Sequence, residues 1–357
     1  MPYEPKRLFP LSTWLPLHRK RLFIAGPCAV ESHQQLFKTA HGIAAAGIVS
    51  VLRAGVWKPR SRPGQFEGKG QEALPWLQEI KQQTGLMIAV EVAQPTHAEL
   101  CMENGVDMLW LGARTSVNPF MVQEIANSIR GTGVPVMIKN PVCPDLGLWV
   151  GAVERIVEAG THKVIAIHRG FKIHHKSSWR NIPLWDIPLA LRREIPGIPI
   201  LCDPSHIAGN RAYIAQVAQN ALALDMEGLM IEAHHNPEGA LTDQKQQITP
   251  EVLNKLLQKL TKSKPYQQIG IKLENLRNLI DDKDYQILEL LAERLTLAKE
   301  IGILKKETQT PVIQAERQQI ILKDRLLKAK SLGINETFIK QLMDLLHSES
   351  VKTQEIA

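Results

Sequence analysis

Cysteine is scarce in this sequence, and long apolar runs are missing from it. Of 357 residues only four are cysteine (Cys28, Cys101, Cys143 and Cys202), and no two of them have the CxxC spacing of a redox or zinc motif. No apolar run approaches the ~20 residues that span a bilayer, and the first 25 residues lack the uninterrupted apolar core of a signal peptide. We therefore expect reduced thiols in a cytoplasmic protein that does not bind a membrane.

Charge of one sign is not concentrated in any part of the chain. The 43 Lys and Arg residues outnumber the 36 Asp and Glu residues and give a formal net charge of +7, yet they form no basic stripe and accompany no nucleic-acid-binding motif. Apolar residues make up 44% and charged residues 22%, which is typical of a globular protein. We predict no nucleic-acid partner and expect the basic residues to hold anionic groups locally.

Short β-branched, apolar runs recur through the first part of the chain, and an amphipathic stretch of helical period follows each. The runs cover residues 22–25, 48–52, 86–92, 108–112, 134–138, 163–167, 199–202 and 228–231. Eight βα units with all-apolar strands are typical of a closed parallel (β/α)8 TIM barrel. A doubly wound sheet usually has fewer strands, and no GxGxxG follows the first run. We predict that residues 1–260 form the barrel.

The pattern changes after the barrel. Residues 261–268 (TKSKPYQQ) are polar and contain a proline, which predicts a linker. Residues 269–357 predict an all-α, three-helix domain: a long helix over 269–306, a second helix that begins at Thr310 and Pro311, and a third after Gly333 and Asn335. A helix of about 35 residues is roughly 50 Å long. Two shorter helices cannot cover its apolar stripe, so we predict an intertwined homodimer through this domain, with higher assembly left open.

Charged and metal-binding side chains follow nearly every predicted strand. They are Cys28, Arg53, Lys58, Arg60, Arg114, Lys139, Arg169, His206, Glu232 and Asp243. In a barrel enzyme these positions meet at the mouth, where the βα loops carry the chemistry. Lys139 and Arg169 directly follow buried strands, where an unpaired charge is unfavourable unless it meets an anion. The cations therefore predict a site for two anionic substrates, or for one that carries several charges.

Four of these residues are metal-ligand types on strands that neighbour each other in a closed barrel. Cys28 follows the first strand, His206 the seventh, and Glu232 and Asp243 the eighth. One thiolate, one imidazole and two carboxylates combine soft and hard donors. A single cysteine after a strand is usually core filler. The complete set predicts a divalent metal ion, which could be Mn, Fe, Co or Zn.

Six ordered motifs of the barrel resemble 3-deoxy-D-arabino-heptulosonate 7-phosphate (DAHP) synthase of the type I family. They are GPCAVES (26–32), LRAGVWKPRS (52–61), LGART (111–115), IKNP (138–141), CDPSH (202–206) and IEAHHNPEGALTDQKQ (231–246). The resemblance covers residues 21–260. It implies the metal-dependent, aldol-like condensation of phosphoenolpyruvate with erythrose 4-phosphate, the first step of the shikimate pathway to aromatic amino acids.

The resemblance also implies a role for each residue. Arg53, Lys58, Arg114, Lys139 and Arg169 would hold phosphoenolpyruvate, Arg60 and Ser61 would hold erythrose 4-phosphate, and Cys28, His206, Glu232 and Asp243 would hold the metal. Lys139 would be catalytic, because it can stabilise or protonate the aldehyde oxygen on which charge develops. Ser61 stands where many relatives have threonine and keeps the hydroxyl group. Residues 170–181 (GFKIHHKSSWRN) do not follow a pattern of the family.

The alternative for the barrel is the sister reaction, that of 3-deoxy-D-manno-octulosonate 8-phosphate synthase. That family shares the barrel, phosphoenolpyruvate and a GPC-like start. It typically has an Asn-containing segment after the second strand, where this chain has KPRS (58–61). The KPRS segment therefore favours the four-carbon aldose phosphate.

The spacing of the cationic residues in the helical domain predicts which of them share a helix face. Arg294 and Lys305 are eleven residues apart, about three helical turns, and therefore share one face roughly 16 Å apart. Arg277 points roughly 100° away from them. The segments LENLR (273–277), LLAERLTLAKEIGILK (290–305), TPVIQAERQQ (310–319) and HSESVKTQ (347–354) resemble chorismate mutase of the all-helical family.

This second resemblance implies the rearrangement of chorismate to prephenate. The implied chorismate-binding residues are Arg294, Arg317, Ser350 and, from the other subunit, Arg277, with Lys305 and Gln354 as catalytic residues at the ether oxygen. Family members commonly have Asp where Gln314 stands and Glu where Gln318 stands. The competing, non-enzymatic interpretation is a domain retained for dimerisation and sensing.

Regulation is expected to lie in the helical domain. About 20 residues precede the first predicted strand, which leaves no room for a separate N-terminal regulatory domain. The helical domain offers the only further ligand site that the sequence predicts, and coupling between two sites is reciprocal. We therefore expect prephenate or chorismate to change synthase activity allosterically, and an absence of inhibition at millimolar prephenate would contradict this.

Overall fold

In the computed structural model, which describes residues 8–59, 63–173, 179–262 and 265–356, eight strands close into a barrel in chain order. The strands are β1 (Leu22–Gly26), β2 (Val51–Ala54), β3 (Met87–Val92), β4 (Met108–Leu111), β5 (Val136–Lys139), β6 (Val164–His168), β7 (Ile200–Cys202) and β8 (Gly228–Glu232). Each strand pairs in parallel with the next, and β1 pairs in parallel with β8. The predicted barrel is confirmed.

Helices follow the strands in the expected alternation. They are α1 (His33–Ala44), α2 (Leu74–Thr84), α3 (Pro95–Glu103), α4 (Pro119–Ser128), α5 (Leu146–Glu158), α6 (Asp186–Glu194), α7 (Pro204–Ala208), α8 (Ile214–Ala223) and α9 (Pro250–Lys262). Several begin at polar caps: Ser32 accepts a hydrogen bond from Gln35 N, and Asp145 accepts one from Leu148 N. These caps fix where each loop at the barrel mouth joins its helix.

Strand β2 lies further along the chain than the apolar run 48–52 predicts. It spans Val51–Ala54 and contains Arg53, whose side chain is fully buried. The sequence predicts a strand end at residue 52 because an arginine such as Arg53 is rarely buried in a strand. The structure tolerates the charge because acidic side chains from the end of β8 and from the loop after β7 face it.

The barrel interior is apolar up to the level of Trp110, which is buried in the core cluster. Above the indole ring lie two cations: Arg53 Cζ is 5.2 Å and Lys139 Nζ 6.0 Å from the ring centroid. Cations at this distance from an indole face are attracted to it. The apolar core therefore ends in a charged layer, and the candidate site begins there.

By its contacts, the chain divides into two compact units, Met1–Asn275 and Leu276–Ala357. Helix α10 is one continuous element over Pro265–Glu307. The polar segment 261–268, predicted to be a linker, thus contains the end of α9 and the first turn of α10, because proline is tolerated at the start of a helix. The domain limits at residues 260 and 269 stay a prediction.

The second unit continues with α11 (Ala315–Ser331) and α12 (Glu336–Ile356). The helix start predicted at Thr310 and Pro311 is wrong, because α11 begins at Ala315; the Thr310 N–H instead donates to Lys305 O at 2.9 Å and ends the preceding helix. The predicted break before the third helix is confirmed, since Gly333 has φ +70° and the Asn335 side chain caps Phe338 N at 3.0 Å. In the described parts of the chain, no helix is long and apolar enough to cross a membrane.

Candidate active sites

A buried carboxylate, Asp203, organises the mouth of the barrel. Its Oδ2 accepts a hydrogen bond from Lys139 Nζ at 2.8 Å and lies 2.8 Å from His206 Nδ1 and 3.8 Å from Arg53 Nη1. Burial alone would raise the pKa of Asp203, but His206 and Lys139 outweigh it and hold that pKa well below its usual range. Asp203 therefore stays ionised and fixes three predicted site residues around one anion.

Arg53 and Lys139, both predicted to hold phosphoenolpyruvate, lie close together in the buried layer above Trp110. Arg53 Nη2 lies 3.1 Å from Glu232 Oε1, and both side chains are fully buried. Burial lowers the pKa of Lys139, although Asp203 opposes this effect. The Lys139 ammonium therefore releases its proton more readily than an exposed lysine does.

Lys58, the third of the predicted phosphoenolpyruvate residues, lies beside Glu91 of β3. The distance from Lys58 Nζ to Glu91 Oε2 is 3.3 Å. Burial alone would lower the pKa of Lys58, but negative charge on the Cys28 sulfur and on the Glu91 carboxylate outweighs burial and raises that pKa above its usual value. Lys58 therefore remains a cation at the rim of the Cys28 cluster.

Arg169 lies just beyond the end of β6 and is buried. Burial, together with the positive charges of Arg180 and Arg114, lowers its pKa to about 10 against the opposing effect of Asp203. Guanidinium groups close enough to repel one another are stabilised when an anion binds between them. Arg60 and Ser61, predicted to hold the aldose phosphate, lie outside the described residues.

Three of the four predicted metal ligands come together. One donor atom each of Cys28, Glu232 and Asp243 lies within 4.8 Å of the others, and Cys28 Sγ is 3.4 Å from Asp243 Oδ2. His206 is adjacent, with Nε2 3.8 Å from Glu232 Oε1.

These residues fit a divalent cation. Burial, followed by the nearby Glu232 charge, raises the pKa of the Cys28 thiol to about 12. A thiol buried beside carboxylates ionises only when a cation neutralises the cluster, and a metal ion does so. Burial also lowers the pKa of His206, which favours the neutral imidazole that binds metals. The mixed thiolate, imidazole and carboxylate donors match a transition metal better than calcium or magnesium.

Sequence reasoning missed Asp203, Glu91 and Arg180. Asp203 stands inside the CDPSH motif and directly follows β7, so its position carried the same signal as the residues that were selected. Glu91 is the one acidic residue in the otherwise apolar strand MIAVEV. Arg180 is the penultimate residue of the segment 170–181, for which the sequence predicts no role, and its Nη1 lies 3.0 Å from Asp243 Oδ1. A signal was therefore available for two of these residues: Asp203 is charged and follows a strand, and Glu91 is charged and lies inside an apolar strand.

The second unit contains a cavity of about 320 Å³ between its helices. Five of the residues predicted to bind chorismate line it: Arg294, Lys305, Arg317, Ser350 and Gln354. The other polar lining residues are Gln314, Gln318 and His347, and the apolar ones are Leu297, Ala298, Ile301, Val312 and Ile321. Among the described side chains that line this cavity, none is acidic. The cavity therefore suits a small ligand with more than one negative charge.

Hydrogen bonds fix two of the lining cations. Lys305 Nζ donates to Gln354 Oε1 at 3.0 Å and to Val312 O at 2.7 Å, so both predicted catalytic residues meet at one point. Arg294 Nη1 donates to Ser350 Oγ and, at 3.1 Å, to Leu346 O. Arg277 lies on the exposed surface of α10 and is not among the described residues that line the cavity. Its predicted role in the other subunit stays a prediction.

Two family models divide the chain between them. The model described as the DAHP synthetase I family matches residues 18–268, and the model described as chorismate mutase type II matches residues 276–355. A phospho-2-dehydro-3-deoxyheptonate aldolase from Thermotoga maritima is 32% identical over 239 residues, which are 67% of this chain and 68% of the relative. 2-Dehydro-3-deoxyphosphooctonate aldolases from Escherichia coli are 28% identical over 211 residues, which are 55% of this chain and 71% of theirs.

A solved structure supports the same assignment. The crystal structure of the DAHP synthase from Thermotoga maritima has 30% sequence identity and a TM-score of 0.61, and the match covers 68% of each chain. This structure supports the assignment of the barrel, and the two family models assign the barrel and the helical domain. The chain belongs to the DAHP synthetase I family and is a bifunctional shikimate-pathway enzyme, in which a DAHP synthase barrel is followed by a chorismate mutase domain of type II.

Proposed function

We propose that the barrel mouth condenses phosphoenolpyruvate with erythrose 4-phosphate through the residues around Asp203. The observation that carries the proposal is the buried layer in which Arg53, Lys139 and His206 share the Asp203 carboxylate beside the Cys28 cluster. The positive charge for the carboxylate and phosphate of phosphoenolpyruvate would come from Arg53, Lys58, Arg114, Lys139 and Arg169. Arg60 and Ser61 would hold the phosphate of the aldose.

The proposed chemistry uses the lowered pKa of Lys139. Carbon three of phosphoenolpyruvate attacks the aldehyde carbon, a C–C bond forms, and the aldehyde oxygen takes a proton from Lys139 Nζ. Water then adds its hydroxyl group at carbon two, and its other proton returns to Lys139 Nζ. The bond between carbon two and the ester oxygen breaks, the hydroxyl proton passes to the departing inorganic phosphate, and carbon two becomes the ketone. Cys28, His206, Glu232 and Asp243 would hold a divalent metal, Mn, Fe, Co or Zn, which supplies a Lewis acid when bound.

The test of this proposal compares two aldose phosphates with and without metal. Purified full-length protein is mixed with phosphoenolpyruvate and Mn²⁺, and the loss of phosphoenolpyruvate is followed with erythrose 4-phosphate or with arabinose 5-phosphate. We expect turnover with erythrose 4-phosphate alone and its loss on addition of a chelator, while chorismate turnover continues. Turnover only with arabinose 5-phosphate would assign the barrel to the sister reaction, and turnover that survives chelation would contradict the metal site.

In the helical unit, we propose that chorismate binds in the cavity between α10, α11 and α12. Arg294 and Arg317 would hold its carboxylates with help from Ser350, and Lys305 and Gln354 would face the ether oxygen. The rearrangement needs no proton transfer, so preorganised cations and a compact ligand pose are sufficient. Feedback inhibition of the barrel by prephenate or chorismate, like the cytoplasmic location, stays a prediction.

We also propose that the helical unit forms the dimer, with Arg277 reaching the partner's cavity. The support is the apolar surface of α10, on which Ile280 is 61%, Ile287 54% and Leu290 64% exposed. An apolar stripe of this size on a single helix is unfavourable in water unless another chain covers it.

Replacing Ile280 and Ile287 together by lysine is expected to shift the protein from dimer to monomer, because four like charges would face one another across the interface. Sedimentation velocity measures the change in mass, and mutase activity should fall with it if Arg277 acts across the dimer. Lysine at exposed Ser348 of α12 is the control substitution. A protein that remains dimeric with both lysines in place would contradict this interface.

A further inference from the structure

The end of the unassigned segment 170–181 lies between the two halves of the barrel site. Asn181 is 5% exposed, and its side chain makes two hydrogen bonds. Asn181 Oδ1 accepts from Arg169 Nη1 at 2.9 Å, and Asn181 Nδ2 donates to His206 O at 2.6 Å. One neutral side chain thus connects a proposed phosphoenolpyruvate residue to the backbone of a proposed metal ligand.

The backbone of residues 180 and 181 is fixed against α7 and the glycine that follows this helix. Asn181 N donates to Ile207 O at 3.2 Å, and Arg180 N lies 3.4 Å from Ala208 O. Gly209 has φ +65°, and a Cβ at this position would lie 2.3 Å from Arg180 Cβ. Only glycine allows this approach, so residues 180 and 181 are held at a defined distance from α7.

Arg180 reaches the other side of the metal cluster. Its Nη1 donates to Asp243 Oδ1 at 3.0 Å and also to Gln246 Oε1. The second carboxylate oxygen, Asp243 Oδ2, is the one that lies 3.4 Å from Cys28 Sγ, so Arg180 leaves the cluster-facing oxygen available. Asp243 has φ +46°, an uncommon conformation for a residue other than glycine, which needs support from its surroundings.

We propose that Arg180 and Asn181 are positioning residues that couple phosphoenolpyruvate binding at Arg169 to metal binding at His206 and Asp243. The inference rests on the proposed function of the barrel. An anion on Arg169 orients its guanidinium group, and Asn181 transmits that orientation to the His206 backbone. Because binding coupling is reciprocal, a metal ion on His206 and Asp243 tightens phosphoenolpyruvate binding by the same factor by which phosphoenolpyruvate tightens metal binding.

A variant without a charge change separates this coupling from plain attraction between cation and anion. Asn181→Ala removes both hydrogen bonds and alters no charge, so electrostatic attraction between the bound metal and phosphoenolpyruvate persists in it. Asn181→Leu fills nearly the same volume, is also uncharged, and lacks both the acceptor for Arg169 and the donor to His206 O. The second variant keeps the test valid if the alanine protein folds poorly.

The experiment measures the Mn²⁺ dissociation constant of the full-length protein by electron paramagnetic resonance, with and without saturating phosphoenolpyruvate. For the wild type we expect phosphoenolpyruvate to tighten Mn²⁺ binding by about fivefold or more. In Asn181→Ala this ratio should fall well below the wild-type value, to the part that electrostatic attraction alone supplies, and phosphoenolpyruvate affinity should fall about tenfold. Arg180→Gln should weaken Mn²⁺ binding by about tenfold through the lost support of Asp243.

The matched controls are Asn127→Ala on α4 and Arg193→Gln on α6, both exposed, and both should keep the wild-type ratio. A wild-type ratio of one, or an unchanged ratio in both Asn181 variants, would overturn the coupling and leave the proposed function intact. A wild type that binds neither Mn²⁺ nor phosphoenolpyruvate would overturn the proposed function and this inference together.

Discussion

Replacing Lys139 by methionine is expected to lower synthase turnover by roughly 10³-fold and to leave the chorismate mutase rate unchanged. Methionine fills nearly the same volume, so the substitution removes the charge and the proton without opening a cavity. A loss of 10³-fold corresponds to about 4 kcal/mol of transition-state stabilisation. This is the size expected when a buried donor is removed from the oxygen on which negative charge develops.

The environment of Lys139 explains why no neighbour replaces it. Its ammonium group is 2.8 Å from Asp203 and faces the buried layer, with 4% of the residue exposed. Without Lys139, Asp203 keeps Arg53 and His206 as partners, so the carboxylate is not left unpaired. Arg53 cannot act as the proton donor: burial alone would lower its pKa, but the Glu232 and Asp203 carboxylates outweigh burial and hold that pKa above its ordinary value.

Steady-state kinetics of both activities on the same preparation test this prediction. The fall should appear in kcat for the synthase, because the proton is delivered in the transition state, with a smaller rise in KM for phosphoenolpyruvate. Lys163→Met is the control, since Lys163 precedes β6 at the end of the barrel opposite the site. Synthase turnover of Lys139→Met within tenfold of the wild type would show that another group donates the proton.

Much of the barrel site was predictable because strand ends and chemistry coincide in this fold. Cys28, Lys139, Arg169 and Glu232 each stand at or just after a strand, and the alternation of apolar runs located those strands. The acidic residues that neutralise the cations of the site were harder to predict from the sequence. Asp203 and Glu91 become visible as site residues only when the cations that they neutralise are placed beside them, and that placement depends on closing the barrel.

The contacts of residues 180 and 181 could not have been predicted from local pattern. Arg180 meets Asp243 across 63 positions of sequence, and Asn181 meets His206 across 25. No periodicity encodes such pairs. The helical unit shows the converse: Arg294 and Lys305 were placed on one face by the helical repeat alone, whereas the start of α11 was wrong because Thr310 and Pro311 are used to end the preceding helix.

Replacing Lys305 by alanine is expected to lower chorismate mutase turnover by roughly 10²- to 10³-fold and to leave the synthase unaffected. Lys305 Nζ lies 3.0 Å from Gln354 Oε1, so the two polar groups that would face the ether oxygen support each other. The rearrangement has no acid, base or covalent step that could substitute for a lost cation. A preorganised positive charge in a partly buried cavity therefore stabilises the transition state by more than its hydrogen bonds alone would.

Lys306→Ala is the control for this variant, because Lys306 is the next residue of α10 and points about 100° away from the cavity. It lies on the exposed surface and should leave both activities unchanged. Chorismate consumption by Lys305→Ala, measured at saturating substrate, separates the two interpretations of the helical unit. A large loss in Lys305→Ala alone identifies a working mutase, whereas equal and negligible turnover in wild type and variant would mean that this unit serves dimerisation and sensing.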